Sequence, residues 1–295
     1  MRRGALTLLV LLAACREPVI TEPQTLGGAL VLAEVLEQGR LVYRRYCVSC
    51  HGEKGDGKGV ASFGQVPAPR DFRHGKFKFA GVEDLGLPSD VELQRIITQG
   101  LAGTYMRPWV LQETELNAVV QYIKTFSLPG KGFRSKRLKV KAPQFPPDPY
   151  ASAEQKTAAI KKGEELYHAL FRCSACHPAY VGAAKMKSWG AQMRTDAPFA
   201  PVPKWSEDFR SVLVPPDFFR HAVRAVRAER DRGKLSYRVD DLYRTIAYGM
   251  QGPMPGYAHL GDAEVWAVAY YVKSLLDSRE SDEAKTRLQN LSAAH

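Results

Sequence analysis

Four of the five cysteines in this 295-residue chain fall in two identical frames, Cys47-Val48-Ser49-Cys50-His51 and Cys173-Ser174-Ala175-Cys176-His177. Both read C-x-x-C-H. Two thiols at this spacing reach the two vinyl groups on one edge of a porphyrin, and the adjacent imidazole swings under the ring to bind iron. By composition roughly 0.002 such matches arise by chance per chain, so two copies are a strong signal. Zinc is a competing reading, because each frame offers three ligands and a zinc site wants four. The frames lie far apart in the chain, each at the end of its own expected helix, which disfavours one shared metal. A thioredoxin-like pair would lack the histidine and would follow a strand, and no strand pattern precedes either frame.

An iron held by one histidine takes a second axial ligand for fast electron transfer, and methionine is the usual partner at high potential. Met106 is the only methionine between Met1 and Met186, whereas the second half offers Met186, Met193, Met250 and Met254. An internal repeat chooses among them. Leu93 to Lys124 matches Leu242 to Lys273 at 11 of 32 positions. That alignment sets Met254 beside Met106, with one residue deleted, and Met250 beside Leu101, where a packing role suffices. Met186 and Met193 follow His177 too closely to reach the opposite face of a ring. The expected iron ligands are therefore His51 with Met106 and His177 with Met254. His168, on the helix before Cys173, reads as a surface or haem-edge group, and His74 and His221 have no counterpart across the repeat.

The elements that must position these groups repeat too. A Gly-x-x-x-Tyr element precedes each frame (Gly39 with Tyr43, Gly163 with Tyr167), and a Pro-x-Asp-Phe element follows each (Pro69 to Phe72, Pro215 to Phe218). Each unit reads as helix, cysteine frame, long loop, short helix, loop and helix. Leu30 to Tyr46 is a helix with a basic end; Ser89 to Glu92 is a capping box for a helix that stops at Gly100. Leu116, Val119, Val120, Ile123 and Phe126 form one apolar helical face, repeated by Val265, Val268, Ala269, Val272, Leu275 and Leu276. Phe72 to Phe79 reads as an irregular turn segment. Residues 129–152 read as a basic, Pro-rich linker, a solvated connector by default and a docking patch otherwise. Arg220 to Lys234 reads as an exposed basic helix.

The chain opens with Arg2 and Arg3, then an apolar run from Ala5 to Ala14 that meets Cys15. This is the layout of a secretory leader, and Leu12-Ala13-Ala14-Cys15 resembles the bacterial lipobox, in which the cysteine becomes the lipidated N-terminus. The expected boundaries are a leader at 1–14, a lipid-anchored tether at 15–25, units at 26–128 and 153–280 around the 129–152 linker, and a polar tail at 281–295. No apolar run of membrane-spanning length follows the leader. The net charge of +11 favours acidic partners. No aromatic-basic motif points to nucleic acid, and the leader opposes it.

From Leu26 to Asp277 the chain resembles a dihaem class I cytochrome c, a bacterial lipoprotein with two tandem domains. The resemblance implies an all-α fold of two class I cytochrome c domains with long haem-wrapping loops. It implies two covalently attached haem c groups, on Cys47 and Cys50 and on Cys173 and Cys176. The family's Met-Pro loop is matched by Met254-Pro255, whereas the first unit has Met106-Arg107-Pro108. A loop proline carbonyl is expected to accept the axial His N–H; Pro69 and Pro215 are the first candidates, with Pro67 or Pro216 as alternatives. The resemblance implies a periplasmic or extracytoplasmic carrier of single electrons between respiratory redox partners, held at a membrane by a firm lipid tether, and not an enzyme. A dihaem peroxidase is the alternative and would need one iron with an open position. A haem sensor is a third reading, without any attached signalling module.

Overall fold

Leu36, Val42 and Tyr43 recur at helical spacing and bury one face of helix α1 (Ala33–Tyr46), whose last turn carries Arg44 and Arg45 at the negative end of the helix dipole. The one-turn helix α2 (Val48–His51) follows, then α3 (Asp90–Gln99) and α4 (Glu113–Thr125). Ala118, Val119, Val120 and Ile123 form the buried stripe of α4, which packs on α1. The second half repeats the plan with α5 (Ala153–His168), the short α6 (Ala183–Ser188), α7 (Val239–Tyr248) and α8 (Asp262–Asp277). There α5 packs on α8, and α7 also packs on α8. Helix α9 (Asp282–Ala293) follows.

These coordinates are a computed structural model that describes residues 19–82, 86–206, 209, 211–231, 234–252, 254–279 and 281–293. The leader and Cys15 lie outside the described residues. Among the described residues the fold is mostly helical, with two main hydrophobic cores and a smaller cluster around Met186: one core gathers Leu36, Tyr43, Phe72 and Val119, the other Tyr167, Tyr180, Val265 and Tyr271. Four two-stranded ribbons decorate it. β1 (Gln24–Leu26) pairs antiparallel with β2 (Ala29–Val31), and β3 (Gly86–Pro88) pairs parallel with β4 (Lys139–Lys141). β5 (Lys204–Ser206) pairs with β6 (Ser211–Leu213), and β7 (Ala228–Asp231) with β8 (Lys234–Tyr237), both antiparallel.

Each long helix pair crosses at a glycine. A Cβ on Gly39 would lie 2.1 Å from the Ala118 carbonyl oxygen, and one on Gly163 would lie 2.0 Å from that of Ala267. Only hydrogen fits, so the backbones approach closely and fix the crossing point.

The structure departs from the sequence reading in several places. The strand pairs qualify the all-α expectation, and the helix expected over Leu30 to Tyr46 starts only at Ala33, because Ala29–Val31 pairs with Gln24–Leu26. The basic 129–152 segment is not wholly solvated: Phe133 is buried, its carbonyl accepts from Gly27 N, and β4 is tied to β3. Arg220 to Lys234 is not a helix. Ala225 adopts φ +58, and Arg227 donates from N and Nε to Asp241, which diverts the chain into the β7–β8 ribbon. Residues 281–295, read as a tail, contain α9, which buries Ala284 and sends Arg287 to Glu164 and the Tyr180 carbonyl. Ser89 to Glu92 forms no capping box: the Ser89 side chain makes no cap bond, and the buried Glu92 carboxylate turns to Arg95 and Arg244.

Arg244 reaches Glu92 from the second half, and other contacts join the halves. The Gln251 side chain accepts from Phe77 N and donates to Gly86 O, both at 2.8 Å. Tyr248 Oη bonds both backbone groups of Gln144, and Arg244 lies 3.7 Å from the Phe145 ring centroid.

The crossing geometry sets an expectation for stability. Gly39→Ala and Gly163→Ala should each lower stability by about 1–3 kcal/mol, the usual cost of overpacking. Gly182→Ala, with open space at the Cβ position, should stay within about 0.5 kcal/mol of wild type. Urea unfolding midpoints would check this; an unchanged midpoint for Gly39→Ala would contradict so close a crossing.

Candidate functional site

The first cysteine frame grows out of the end of α1. Cys47 N donates to Tyr43 O, and His51 N donates to Cys47 O at 2.9 Å, so Cys47, Cys50 and His51 share one helical turn. In the second frame His177 N likewise donates to Cys173 O at 2.9 Å. The tyrosine of each Gly-x-x-x-Tyr element closes its turn. Tyr43 Oη donates to Gly52 O at 2.8 Å, and Tyr167 Oη donates to Pro178 O at 3.0 Å. Each acceptor is the carbonyl of the residue after the histidine. The element therefore has two linked roles: its glycine sets the helix crossing and its tyrosine, one turn on, holds the cysteine frame.

The Pro-x-Asp-Phe element supplies the other wall. His51 Nδ1 lies 3.1 Å from Arg70 O, and His177 Nδ1 lies 3.1 Å from Pro216 O. A carbonyl can only accept, which assigns the ring hydrogen to Nδ1 and leaves the Nε2 lone pair free. Burial lowers the pKa of both imidazoles and keeps them neutral, the form a metal requires. In the first unit neither Pro69 nor Pro67 is the acceptor, which is Arg70; in the second the first candidate Pro215 gives way to the alternative, Pro216. The physical reason is an Asx turn: Asp71 Oδ1 accepts from Arg73 N and Asp217 Oδ1 from Phe219 N, both at 3.0 Å. Those turns aim the preceding carbonyl at the histidine. The element's phenylalanine then stacks on the imidazole, Phe72 on His51 at 4.5 Å and Phe218 on His177 at 5.0 Å.

The methionine loops match in the same detail. Leu101 N donates to Met106 O at 2.9 Å, and Met250 N donates to Met254 O at 2.8 Å. Gly100 and Gly249 end their helices at φ +64 and +66. A Cβ there would meet Met106 O at 2.7 Å or Met254 O at 2.3 Å. Beyond the methionines, Trp109 N donates to Ile97 O and Tyr257 N to Ile246 O. Met106 and Met254 therefore occupy equivalent places, each partly buried against its own core, and Met250 occupies that of Leu101. Met186 is buried in a small separate cluster with Trp189, Met193 and Phe199.

The donors suit a covalently held haem. Each set offers two thiols on one turn and an imidazole with its outer nitrogen free, with a thioether on a loop from the other side of the sequence unit. The apolar surface agrees. Gly59 N donates to Cys50 O and Gln65 Nε2 lies 3.5 Å from Cys50 Sγ, which lays the 59–65 loop beside the thiols. That loop carries Val60 at 93% and Phe63 at 97% exposure. Burial pushes the Cys47 and Cys173 thiols up to about 12, the opposite of a reactive thiolate pair. Among the described residues no three His, Cys, Asp or Glu side chains converge as a metal-ligand set.

His168 differs from its reading as a surface or haem-edge group. It is buried, accepts at Nε2 from Tyr180 N at 3.1 Å and meets Glu164 O with Nδ1 at 2.7 Å. Sequence reasoning also passed over Arg194, which braces the second frame through Ser174 O and the Ala197 and Ala200 carbonyls. No local pattern announces either residue.

Helical cores built around paired cysteine frames of this kind define a c-type cytochrome. The chain belongs to the cytochrome c domain family described as cytochrome c oxidase, cbb3-type, subunit III, whose profile matches residues 34–123 and 158–272. Covalently bound haem c and haem-based electron transfer go with that family. Among solved structures, the chain is similar to one from the reducing HAO-like protein complex of Kuenenia stuttgartiensis. The two share 28% identity and a TM-score of 0.62, over 81% of this chain and 96% of that one. A comparison with curated protein sequences gives no match.

Two outcomes follow from the hydrogen bonds. Tyr43→Phe and Tyr167→Phe should each cost about 1–3 kcal/mol, because each strands a buried carbonyl; denaturant titration would measure it. Burial pushes His168 down to about 4. Below its ordinary value near 6.5 the unfolded chain takes up a proton that the folded chain refuses. Stability should therefore fall as pH drops from about 6.5 to 4, by roughly 1 kcal/mol per unit, and level off below. His168→Gln should lack that slope in a direct comparison with wild type.

Proposed function

We propose that the protein is a dihaem cytochrome in which each half is a class I cytochrome c domain. It passes single electrons between respiratory partners on the extracytoplasmic side of a bacterial membrane. The observation that carries this reading is the duplication of a complete ligand set: thiol pair, histidine with Nδ1 tied to a carbonyl, stacked phenylalanine, and glycine-seated methionine. In this reading Cys47 and Cys50 would hold one haem c, with His51 and Met106 as the side chains offered to its iron; Cys173 and Cys176 would hold the other, with His177 and Met254.

Haem iron supplies a one-electron couple between its ferric and ferrous states. The protein's part is positional. The Arg70 and Pro216 carbonyls orient the histidines and raise their basicity. Phe72 and Phe218 shield them from water, and the thioethers favour the reduced iron. Two such ligands at each iron leave no open position, which separates a carrier from a peroxidase.

Cys15 carries the lipid anchor in this reading. Among the described residues no helix is long and apolar enough to cross a membrane. From Gln24 the chain is already paired into β1, and Ile20 N bonds Glu37, so little slack remains between anchor and first unit. The positive charge suits partners with acidic docking surfaces. Likeness to a chain of a reducing HAO-like protein complex supports work as a subunit of a larger assembly.

Intact mass after denaturation should show two covalent haems per chain. The ferric protein should be low-spin with a weak far-red sulfur band, and the reduced protein should not bind carbon monoxide. Met106→Ala or Met254→Ala should each open one iron, remove about half of the sulfur band and lower that haem's potential. Met250→Ala should change none of this. A high-spin haem in the wild type would favour the peroxidase reading. Cys15→Ser should abolish lipid on the mature chain and leave haem content intact.

A further inference from the structure

The two methionine loops are equivalent in backbone but differ in what supports them. In the first unit the loop supports itself. Thr104 Oγ1 donates to Leu101 O at 2.7 Å and accepts from Met106 N at 3.1 Å, and Ala102 faces solvent. In the second unit the residue aligned with Ala102 is Gln251, which is only 8% exposed although it is polar. Its amide is spent on the other unit: Oε1 accepts from Phe77 N and Nε2 donates to Gly86 O, both at 2.8 Å. Both partners are backbone groups of the first unit, which cannot rotate away as side chains do. Within the loop, Met250 N donates to Met254 O at 2.8 Å and Met254 N lies 3.5 Å from Met250 O. Gln251 is adjacent to Met250, so its anchor is passed to Met254 through one peptide and one bridge.

The far end of this anchor lies at the first site. The Phe77 ring stacks on Phe72 at 5.9 Å, and Phe72 stacks on His51 at 4.5 Å. We infer that Gln251 is a positioning residue whose two hydrogen bonds to the first unit hold the Met254 loop at its iron, so that the sixth ligand of the second centre depends on docking between the units. The inference rests on the His–Met reading of both centres. It makes the centres unequal: Met106 is held by its own domain alone, whereas Met254, seated in its own unit by Gly249 and Met250, is also braced by the neighbour through Gln251.

The test uses the full-length, haem-loaded protein with Gln251→Leu and the milder Gln251→Asn, whose amide is one methylene too short to span both partners. Ala102→Leu is the matched control. Haem number by mass, the far-red sulfur band and carbon monoxide binding to the reduced protein are read together. Both Gln251 variants should keep two haems, lose about half of the sulfur band and bind one carbon monoxide per chain, at the second haem. Ala102→Leu should match wild type. Retention of the full band and of carbon monoxide resistance by both Gln251 variants, with two haems attached, would overturn the inference. A wild type that lacks a haem or the sulfur band would instead overturn the parent reading, and the same measurements tell the two failures apart.

Discussion

Where α1 meets α4 there is room for hydrogen at Gly39 and for nothing larger, since a Cβ would fall 2.1 Å from the Ala118 carbonyl; Gly163 faces Ala267 in the same way. Most of each site hangs from that crossing. It fixes the end of the first helix, so Tyr43 and Tyr167, one turn beyond the glycines, reach the carbonyls of Gly52 and Pro178. Those bonds set the pitch of the turn that carries two cysteines and a histidine. The partner helix brings Tyr122 and Phe126, whose rings lie 5.4 and 4.9 Å from that of Tyr43. A helix-packing constraint is thereby converted into the placement of an imidazole.

Two further restraints complete each centre, and both are backbone devices. An Asx turn at Asp71 or Asp217 aims a carbonyl at the histidine, and a glycine at positive φ seats the methionine carbonyl against the end of a short helix. Backbone groups hold position better than long side chains, because they carry no rotamer entropy of their own. A low reorganisation requirement is what an electron carrier asks of its ligands, and rigid supports of this kind meet it.

The parts of this design that repeat were legible in the sequence. C-x-x-C-H is specific because porphyrin geometry allows little variation. The alignment that pairs Met106 with Met254 survives because Gly100 and Gly249 have no substitute at their φ angles. Pro-x-Asp-Phe is visible as a pattern, and Pro216 stands among the acceptors it offers, but Arg70 does not, since a turn decides which carbonyl faces inward. The parts that do not repeat were hidden. Glu92 looked like half of a capping box, and nothing local shows that an arginine 152 residues away competes for its carboxylate. His168 looked like a surface group because the insertion that covers it, around Tyr180, has no counterpart in the first unit. Arg224 and Arg227 sit at helical spacing, yet the buried Asp241 captures Arg227 and a ribbon forms instead. Tertiary partners overrode the local pattern in each case.

Glu92 and Asp241 show how duplication turned into assembly. They are equivalent positions of α3 and α7, and both are buried, at 2% and 1% exposure. A buried carboxylate is costly without a partner. Asp241 finds one inside its own unit, in Arg227 from the turn before β7. Glu92 pairs with Arg95 in its own unit and completes its set with Arg244, the repeat equivalent of Arg95, from the second unit. One carboxylate is thus shared by two arginines that descend from the same position of the repeat. Pulling the units apart would leave Glu92 half-paired, Arg244 without its carboxylate partner, and the Phe77 and Gly86 backbone groups without Gln251. These losses coincide because the contacts lie on neighbouring turns of α3, α7 and the Met254 loop. The units are accordingly held in one arrangement by directional polar contacts, and the order of the two cysteine frames along the chain becomes a fixed order in space.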